Sequence, residues 1–216
     1  TETMIRIMKI ELMDYIKKLV PAIKKDYGES IPEERLAILE GLMNEEKIKI
    51  INDPDDKHDY SANSKTGEII INLDSFAKDK DNYEKIVKAK GGLPHEIFHI
   101  VIRLLKSEEE VDERIVINTT DGGRVTSRGM CGFMLNEGFV EKMSGEFCKR
   151  HDELGEDFYH TLAPQLIPYI EVCDYIMKKN SNINPNTVFK IDYQDCLNSL
   201  SREEKEAYQR AECISY

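Results

Sequence analysis

Two histidines and a glutamate stand at a spacing that can hold and use a metal ion. Residues 95–99 read His-Glu-Ile-Phe-His. Four residues advance an α-helix by about 400°, so His95 and His99 lie on one face and can both direct a ring nitrogen at one ion. Glu96 is rotated by about 100°, which is unsuitable for a third ligand but close enough to reach a water in the ion's open position. The spacing therefore predicts a zinc ion on the two histidines, with Glu96 as the general base.

The flanking sequence predicts that these residues stand on a buried helix. Gly91-Gly92 indicates a loop, and Pro94 fits the first helical position, where its missing N–H would be unsatisfied anyway. Residues 97–105 are apolar nearly all round, which is typical of a helix inside a core. Both histidines should then be partly buried. Ordinary hydrogen bonds between buried histidines are the alternative to metal binding.

A catalytic zinc needs a third protein ligand, and residues 135–141, Leu-Asn-Glu-Gly-Phe-Val-Glu, offer the best candidate. The extended motif with a third histidine is excluded because Ile102 and Leu105 occupy its glycine and histidine positions. The acidic run 107–113 is the other candidate, although runs of charge are usually solvated. In a helix over 133–148, Glu137 borders an apolar stripe, where a carboxylate must be ion-paired, hydrogen-bonded or bound to a metal.

The two motifs together resemble those of the gluzincins, the zinc peptidases of the thermolysin and aminopeptidase type. In that family two histidines come from one helix and a glutamate from a later helix, with an acidic residue four positions after the glutamate. The resemblance covers these two short motifs. The residues that it implies are the ligands His95, His99 and Glu137, the general base Glu96, and the supporting residues Asn136 and Glu141.

The gap between the two motifs is longer than in the best-known gluzincins, and a β-hairpin over about residues 114–128 is predicted to fill it. Residues 114–120 and 124–128 favour strands, and the Asp-Gly-Gly between them favours a turn. The hairpin either borders the cleft, where Arg124 and Arg128 could contact a substrate, or merely extends the sheet.

The remaining segments predict an α+β fold. Without a repeat or long linker, the chain is expected to be one domain over 1–216, with an α+β half over about 1–106 and a helical half over about 132–216. The resemblance implies a zincin-like fold, with a small mixed sheet packed on the active-site helix and residues 67–73 as the edge strand that pairs with an extended peptide. Outside the two motifs we expect strands at 47–51 and 67–73 and helices at 4–20, 31–43, 81–90 and 192–211.

Composition limits the class of partner. The 216 residues carry 41 acidic and 30 basic side chains, and the net charge of −11 disfavours nucleic acid and anionic membranes as partners. No apolar run reaches transmembrane length. Five cysteines, widely spaced and without a CxxC pair, indicate reduced thiols, although Cys131 could serve as a ligand or nucleophile. We expect a soluble protein without disulfides, either cytoplasmic or exported.

The sequence thus predicts a zinc metallopeptidase with one zinc per chain and a peptide or protein as substrate. A catalytically inactive zinc-binding module that binds a protein partner is the alternative, and a coincidental motif in a plain globular domain is a third reading. Gluzincins also use a tyrosine or histidine to stabilise the oxyanion. By resemblance, the candidates for that role are Tyr159, His160 and Tyr169.

Overall fold

A computed structural model describes most of the chain, namely residues 2–55, 58–75, 82–102, 116–120, 123–126, 129–151 and 164–214. The chain divides into two compact units, Thr1–Val101 with Ser144–Thr161 and Ile102–Met143 with Leu162–Tyr216. Whether these units fold separately is a question of stability, so the single-domain organisation stays a prediction.

The first unit combines helices with a three-stranded sheet, and the predicted α+β class is confirmed. Strand β2 (Tyr60–Asn63) and helix α1 (Glu2–Tyr27) both contact α3 (Asn82–Val101), the helix that carries residues 95–99. The elements are α1 (Glu2–Tyr27), α2 (Glu33–Gly41), β1 (Ile48–Ile51), β2 (Tyr60–Asn63), β3 (Glu68–Asn72), α3 (Asn82–Val101) and residues 144–150 of α4 (Phe133–Arg150).

Helix α1 is longer than the sequence predicts. The helix was expected over 4–20, but it continues through Pro21 to Tyr27. Ile23 and Tyr27, at 0% and 3% exposure, extend its buried stripe by another two turns. Burying two such side chains contributes about 1.5–3 kcal/mol each, which offsets the roughly 3 kcal/mol that an interior proline costs.

The sheet has the order β1-β3-β2, with β1 parallel and β2 antiparallel to the central strand. The strands predicted at 47–51 and 67–73 are both present, whereas β2 was not predicted because Tyr-Ser-Ala-Asn lacks a β-branched run. The prediction that 67–73 forms the edge is wrong. This segment is central because β1 pairs with one of its edges and β2 with the other.

The helix that carries residues 95–99 also begins earlier than predicted. Instead of a short helix, a loop at Gly91-Gly92 and a new start at Pro94, α3 runs without interruption from Asn82 to Val101. Ala89 and Leu93 are both fully buried and join the two parts of the apolar face across the glycines. Tertiary burial therefore outweighs the local tendency of glycine and proline to break a helix.

The second unit contains a small antiparallel sheet and further helices. Strands β4 (Val116–Thr120) and β5 (Gly123–Thr126) form the predicted hairpin, and an unpredicted strand β6 (Gly129–Cys131) pairs with β5. Its elements are β4 (Val116–Thr120), β5 (Gly123–Thr126), β6 (Gly129–Cys131), residues 133–143 of α4, α5 (Ile167–Lys179), α6 (Tyr193–Asn198) and α7 (Arg202–Ile214).

Helix α4 confirms the prediction for 133–148, but the single helix predicted over 192–211 is wrong. The chain breaks between α6 and α7 because Ser201 starts a new helix. The Glu204 N–H donates to the Ser201 hydroxyl, and the Ser201 N–H donates to the Glu204 carboxylate. This reciprocal capping box could have been found in the sequence Ser-Arg-Glu-Glu.

Two expectations about the environment of the chain can be compared with the structure. Within the described residues, no helix has both the length and the apolar character that crossing a membrane requires. Cys148, Cys173 and Cys196 are buried free thiols, as predicted, whereas the side chains of Cys131 and Cys213 lie outside the described part of the chain. The compartment stays a prediction.

Candidate metal centre

His95 and His99 face one another on the last two turns of α3. Their Nε2 atoms are 2.9 Å apart, their ring centroids are separated by 4.6 Å, and both residues are half-buried. Two nitrogens bound to one tetrahedral zinc at about 2.0–2.1 Å lie about 3.3 Å apart. The histidine pair therefore needs to open by only a few tenths of an ångström to share one ion. The same distance also suits a single N–H···N hydrogen bond, so the third residue decides between the two arrangements.

Glu137 completes the group. His95, His99 and Glu137 each offer one ligand atom, and these atoms all lie within 4.8 Å of one another. Two imidazole nitrogens and one carboxylate oxygen form a known donor set for catalytic zinc, with the fourth position open. The structure thus brings together the three residues predicted as ligands, and the group could bind a metal ion. Across the described ranges no other group of three such side chains meets in this way.

The rival candidates for the third ligand are not tested by the structure. The acidic run 107–113 lies outside the described residues, as does the side chain of Cys131. Glu137 is half-buried, which agrees with its predicted place beside the apolar stripe of α4. Its neighbours Asn136 and Glu141 are only 3% and 2% exposed, so the supporting residues implied by the resemblance lie inside the protein.

Glu96, the predicted general base, is buried at 8% exposure and has Tyr60 as a neighbour that the sequence did not reveal. Lys88, Gly92 and Glu96 follow one another at single turns on one face of α3. The Tyr60 ring covers the middle position, since a Cβ on Gly92 would lie 2.5 Å from the Tyr60 Cζ. The Tyr60 hydroxyl donates to the Lys88 carbonyl at 2.6 Å. The Tyr60 ring therefore packs on α3 one turn before Glu96.

The Tyr60 hydroxyl stays protonated, and Tyr60 is therefore uncharged. Burial raises the pKa of Tyr60 well above its ordinary value, and the negative charges of Asp59 and Glu96 raise it further. A neutral phenol at this place adds no repulsion to the carboxylate of Glu96. The sequence signal that could have identified Tyr60 is weak, because it consists only of a glycine one turn before the glutamate in a helix.

An aromatic cluster in the first unit holds α3 against the C-terminal half of α4. Phe98 stands between Tyr27 and Phe147, with ring centroids 6.0 Å and 5.7 Å away. His151 packs on Phe147 at 4.6 Å, and its Nε2 lies 2.9 Å from an Asp26 carboxylate oxygen. This histidine is thus accounted for by ordinary packing and pairing.

In the second unit, helix α5 packs very closely on α4 next to Glu137. A Cβ on Gly138 would lie 2.5 Å from the Tyr169 carbonyl oxygen and 2.7 Å from the Cys173 sulfur. Only glycine permits this approach. Tyr169, one of the predicted oxyanion residues, is half-buried and packs its ring on Phe133 at 6.2 Å. Tyr159 and His160 lie outside the described residues.

Comparison with known proteins gives no match among models of protein families, curated proteins or solved structures. The residues of this chain and their geometry are therefore the basis for assigning it a function.

Proposed function

We propose that this protein is a zinc-dependent peptidase of the gluzincin type. The observation that carries the proposal is the group His95, His99 and Glu137, whose ligand atoms lie within 4.8 Å of one another beside the buried Glu96. Zinc in such a site supplies a Lewis acid that polarises a peptide carbonyl and makes a water acidic near neutral pH.

The proposed roles of the protein's own side chains are proton transfer and the positioning of the group that transfers the proton. Glu96 accepts a proton from water and returns it to the leaving amine, which is the role of a general base that later acts as an acid. Its 8% exposure keeps bulk water from competing for that proton. The Tyr60 ring occupies the space over Gly92, one turn before Glu96. It therefore reduces the number of rotamers that the Glu96 side chain can adopt.

A zincin-like arrangement is supported by the contact between the small mixed sheet and α3. Among the described strands, β2 lies at an edge of the sheet, and it also packs on α3. An extended peptide that pairs with β2 would therefore lie along the helix that carries the catalytic residues. This assigns substrate binding to residues 60–63 instead of the segment 67–73 expected from the sequence.

The first experiment is metal analysis of the purified chain, which should contain about one zinc. A peptide library should then be cleaved by the metal-loaded protein and not after chelation. A wild-type protein that takes up no zinc would refute the proposal and leave the motif as a coincidence.

Glu96→Gln separates an enzyme from an inactive zinc-binding module. We expect this variant to keep its zinc and to lose about 10²–10⁴-fold in cleavage rate, because the amide cannot accept the proton. Glu84→Gln is the matched control, since it makes the same change on an exposed residue three turns earlier in α3. If zinc is bound but neither wild type nor variant cleaves any library peptide, the inactive module is the correct reading.

A further inference from the structure

Helix α4 begins without a capping side chain of its own, and a residue about 80 positions later takes that place. The residue before the helix is Gly132, at φ +81°, and it has no side chain to offer. Its N–H donates to the Glu212 carboxylate at 2.9 Å, and the Met134 N–H donates to the same carboxylate. Glu212 thus satisfies two N–H groups at the start of α4 and places its carboxyl at the positive end of the helix dipole.

The Glu212 carboxyl is itself held rigidly. It is 5% exposed, and it accepts a hydrogen bond from the Tyr193 hydroxyl at 2.8 Å and another from the Tyr208 hydroxyl. Burial raises the pKa of Glu212 above its ordinary value, while these four donors oppose the rise. A carboxyl with four partners in fixed directions has little freedom to move, so it fixes the groups that donate to it.

Glu137 lies between two such fixed points. Met134, bound to Glu212, is three residues before it, and Gly138, against the backbone of α5, directly follows it. The first turns of α4 therefore cannot shift along or rotate about the helix axis without breaking one of these contacts. Both fixed points lie in the second unit and reach Glu137 through α4 itself.

We infer that Glu212 is a positioning residue for the metal centre, which acts by fixing the start of α4 so that the Glu137 carboxylate is held in one place. The inference rests on the proposed zinc site. Partners that orient a metal ligand typically change metal affinity by about 10–100-fold when removed. Glu212 should therefore influence zinc binding without contacting the metal.

The test measures zinc affinity of the full chain by competition with a chromogenic chelator, at a temperature where circular dichroism shows every variant folded. Glu212→Gln keeps the shape of the side chain and removes its charge and one acceptor oxygen. We expect zinc affinity to fall about tenfold or more. Glu203→Gln is the matched control on the same helix, and it should leave zinc affinity unchanged because Glu203 is exposed.

A double-mutant cycle shows whether the effect passes through Glu137. If it does, adding Glu212→Gln to Glu137→Ala changes zinc affinity by less than about twofold, because the ligand to be positioned is already absent. A general structural role would lower affinity by the same factor in both backgrounds, and that result overturns the inference. If Glu212→Gln does not fold, Tyr193→Phe, which removes one donor to the carboxyl, takes its place in the cycle.

The two proposals fail in different ways. If the wild type binds no zinc, the proposed function is wrong and the inference falls with it. If the wild type binds zinc and cleaves peptides while Glu212→Gln binds zinc equally well, only the inference is wrong.

Discussion

Helices α3 and α4 both carry residues of the candidate metal centre, but they position them by different means. On α3 the two histidines belong to one helix, and its 3.6-residue period alone brings their Nε2 atoms to 2.9 Å. On α4 a single glutamate depends on contacts from other parts of the second unit, namely the backbone of α5 and Glu212. The relative position of the two histidines thus depends on local helix geometry, whereas the position of the third predicted ligand depends on tertiary structure.

We expect the largest effect, a loss of zinc affinity, when a proposed ligand is replaced, and a much smaller one when a nearby acidic residue is replaced. His99→Ala should weaken zinc binding roughly a thousandfold, since each of three ligands contributes on the order of a third of the binding free energy. Glu137→Ala should follow with a somewhat smaller loss, because the histidine pair stays preorganised on α3. Equilibrium competition for zinc measures both. Glu110→Ala and Asp112→Ala serve as controls, and a greater loss in either of them would move the third ligand to the acidic run.

The next effect tests the close packing that flanks Glu137. Gly138→Ala should lower the free energy of unfolding by about 3 kcal/mol, because the new methyl group meets the Tyr169 backbone, which cannot move aside. Gly41→Ala is the matched control. Nothing lies within 4 Å of a Cβ at Gly41, so this variant should be neutral or gain up to about 1 kcal/mol. Equal results for the two variants in urea unfolding would contradict the packing argument.

A smaller effect tests the corresponding glycine of α3. Gly92→Ala should cost about 2 kcal/mol, because its Cβ displaces the Tyr60 ring and not a backbone atom. In a Tyr60→Leu background the same change should cost clearly less, since the leucine side chain can move away. Urea unfolding of the four proteins in this cycle measures the coupling. Additive costs would mean that Tyr60 does not pack on Gly92 in solution.

The smallest effect concerns the connection between α5 and α7, the two helices that restrain the start of α4. Lys179, Tyr175 and the Ser201 N–H all donate to Glu204 and lower its pKa from about 4.5 to about 2. A lowered pKa means that the stabilisation is complete above pH 4.5 and disappears as the pH falls toward 2. Glu204→Gln should therefore lower the melting temperature slightly at pH 7, and the difference from wild type should close over that interval.

The control for this titration is Glu203→Gln, which removes a charge from the same turn of α7. At pH 7 its melting temperature should fall by less than that of Glu204→Gln, because Glu203 is exposed. If the Glu204→Gln difference stays constant with pH, the three donors do not hold this carboxylate in solution.

Segments with a strong internal pattern were predicted well, and segments shaped by distant contacts were not. The helix at 133–148 and the strands at 47–51 and 67–73 each carry their own periodic signal. Strand β2 was missed because its sequence has no strong preference for a strand. It forms because its backbone pairs with β3. The reverse case is Gly91-Gly92, where the sequence strongly predicts a loop but the chain is helical. Here the packing of Tyr60 on Gly92 and the burial of one face of α3 outweigh the local preference of the two glycines.

The candidate site follows the same division. The sequence by itself determined the histidine pair and the adjacent Glu96, because residues within five positions of one helix have a fixed mutual geometry. Only the tertiary structure decided that Glu137 approaches the histidines, that Tyr60 stands beside Glu96 and that Glu212 starts α4. These residues come from four separate elements, and their distances depend on packing that no local spacing encodes.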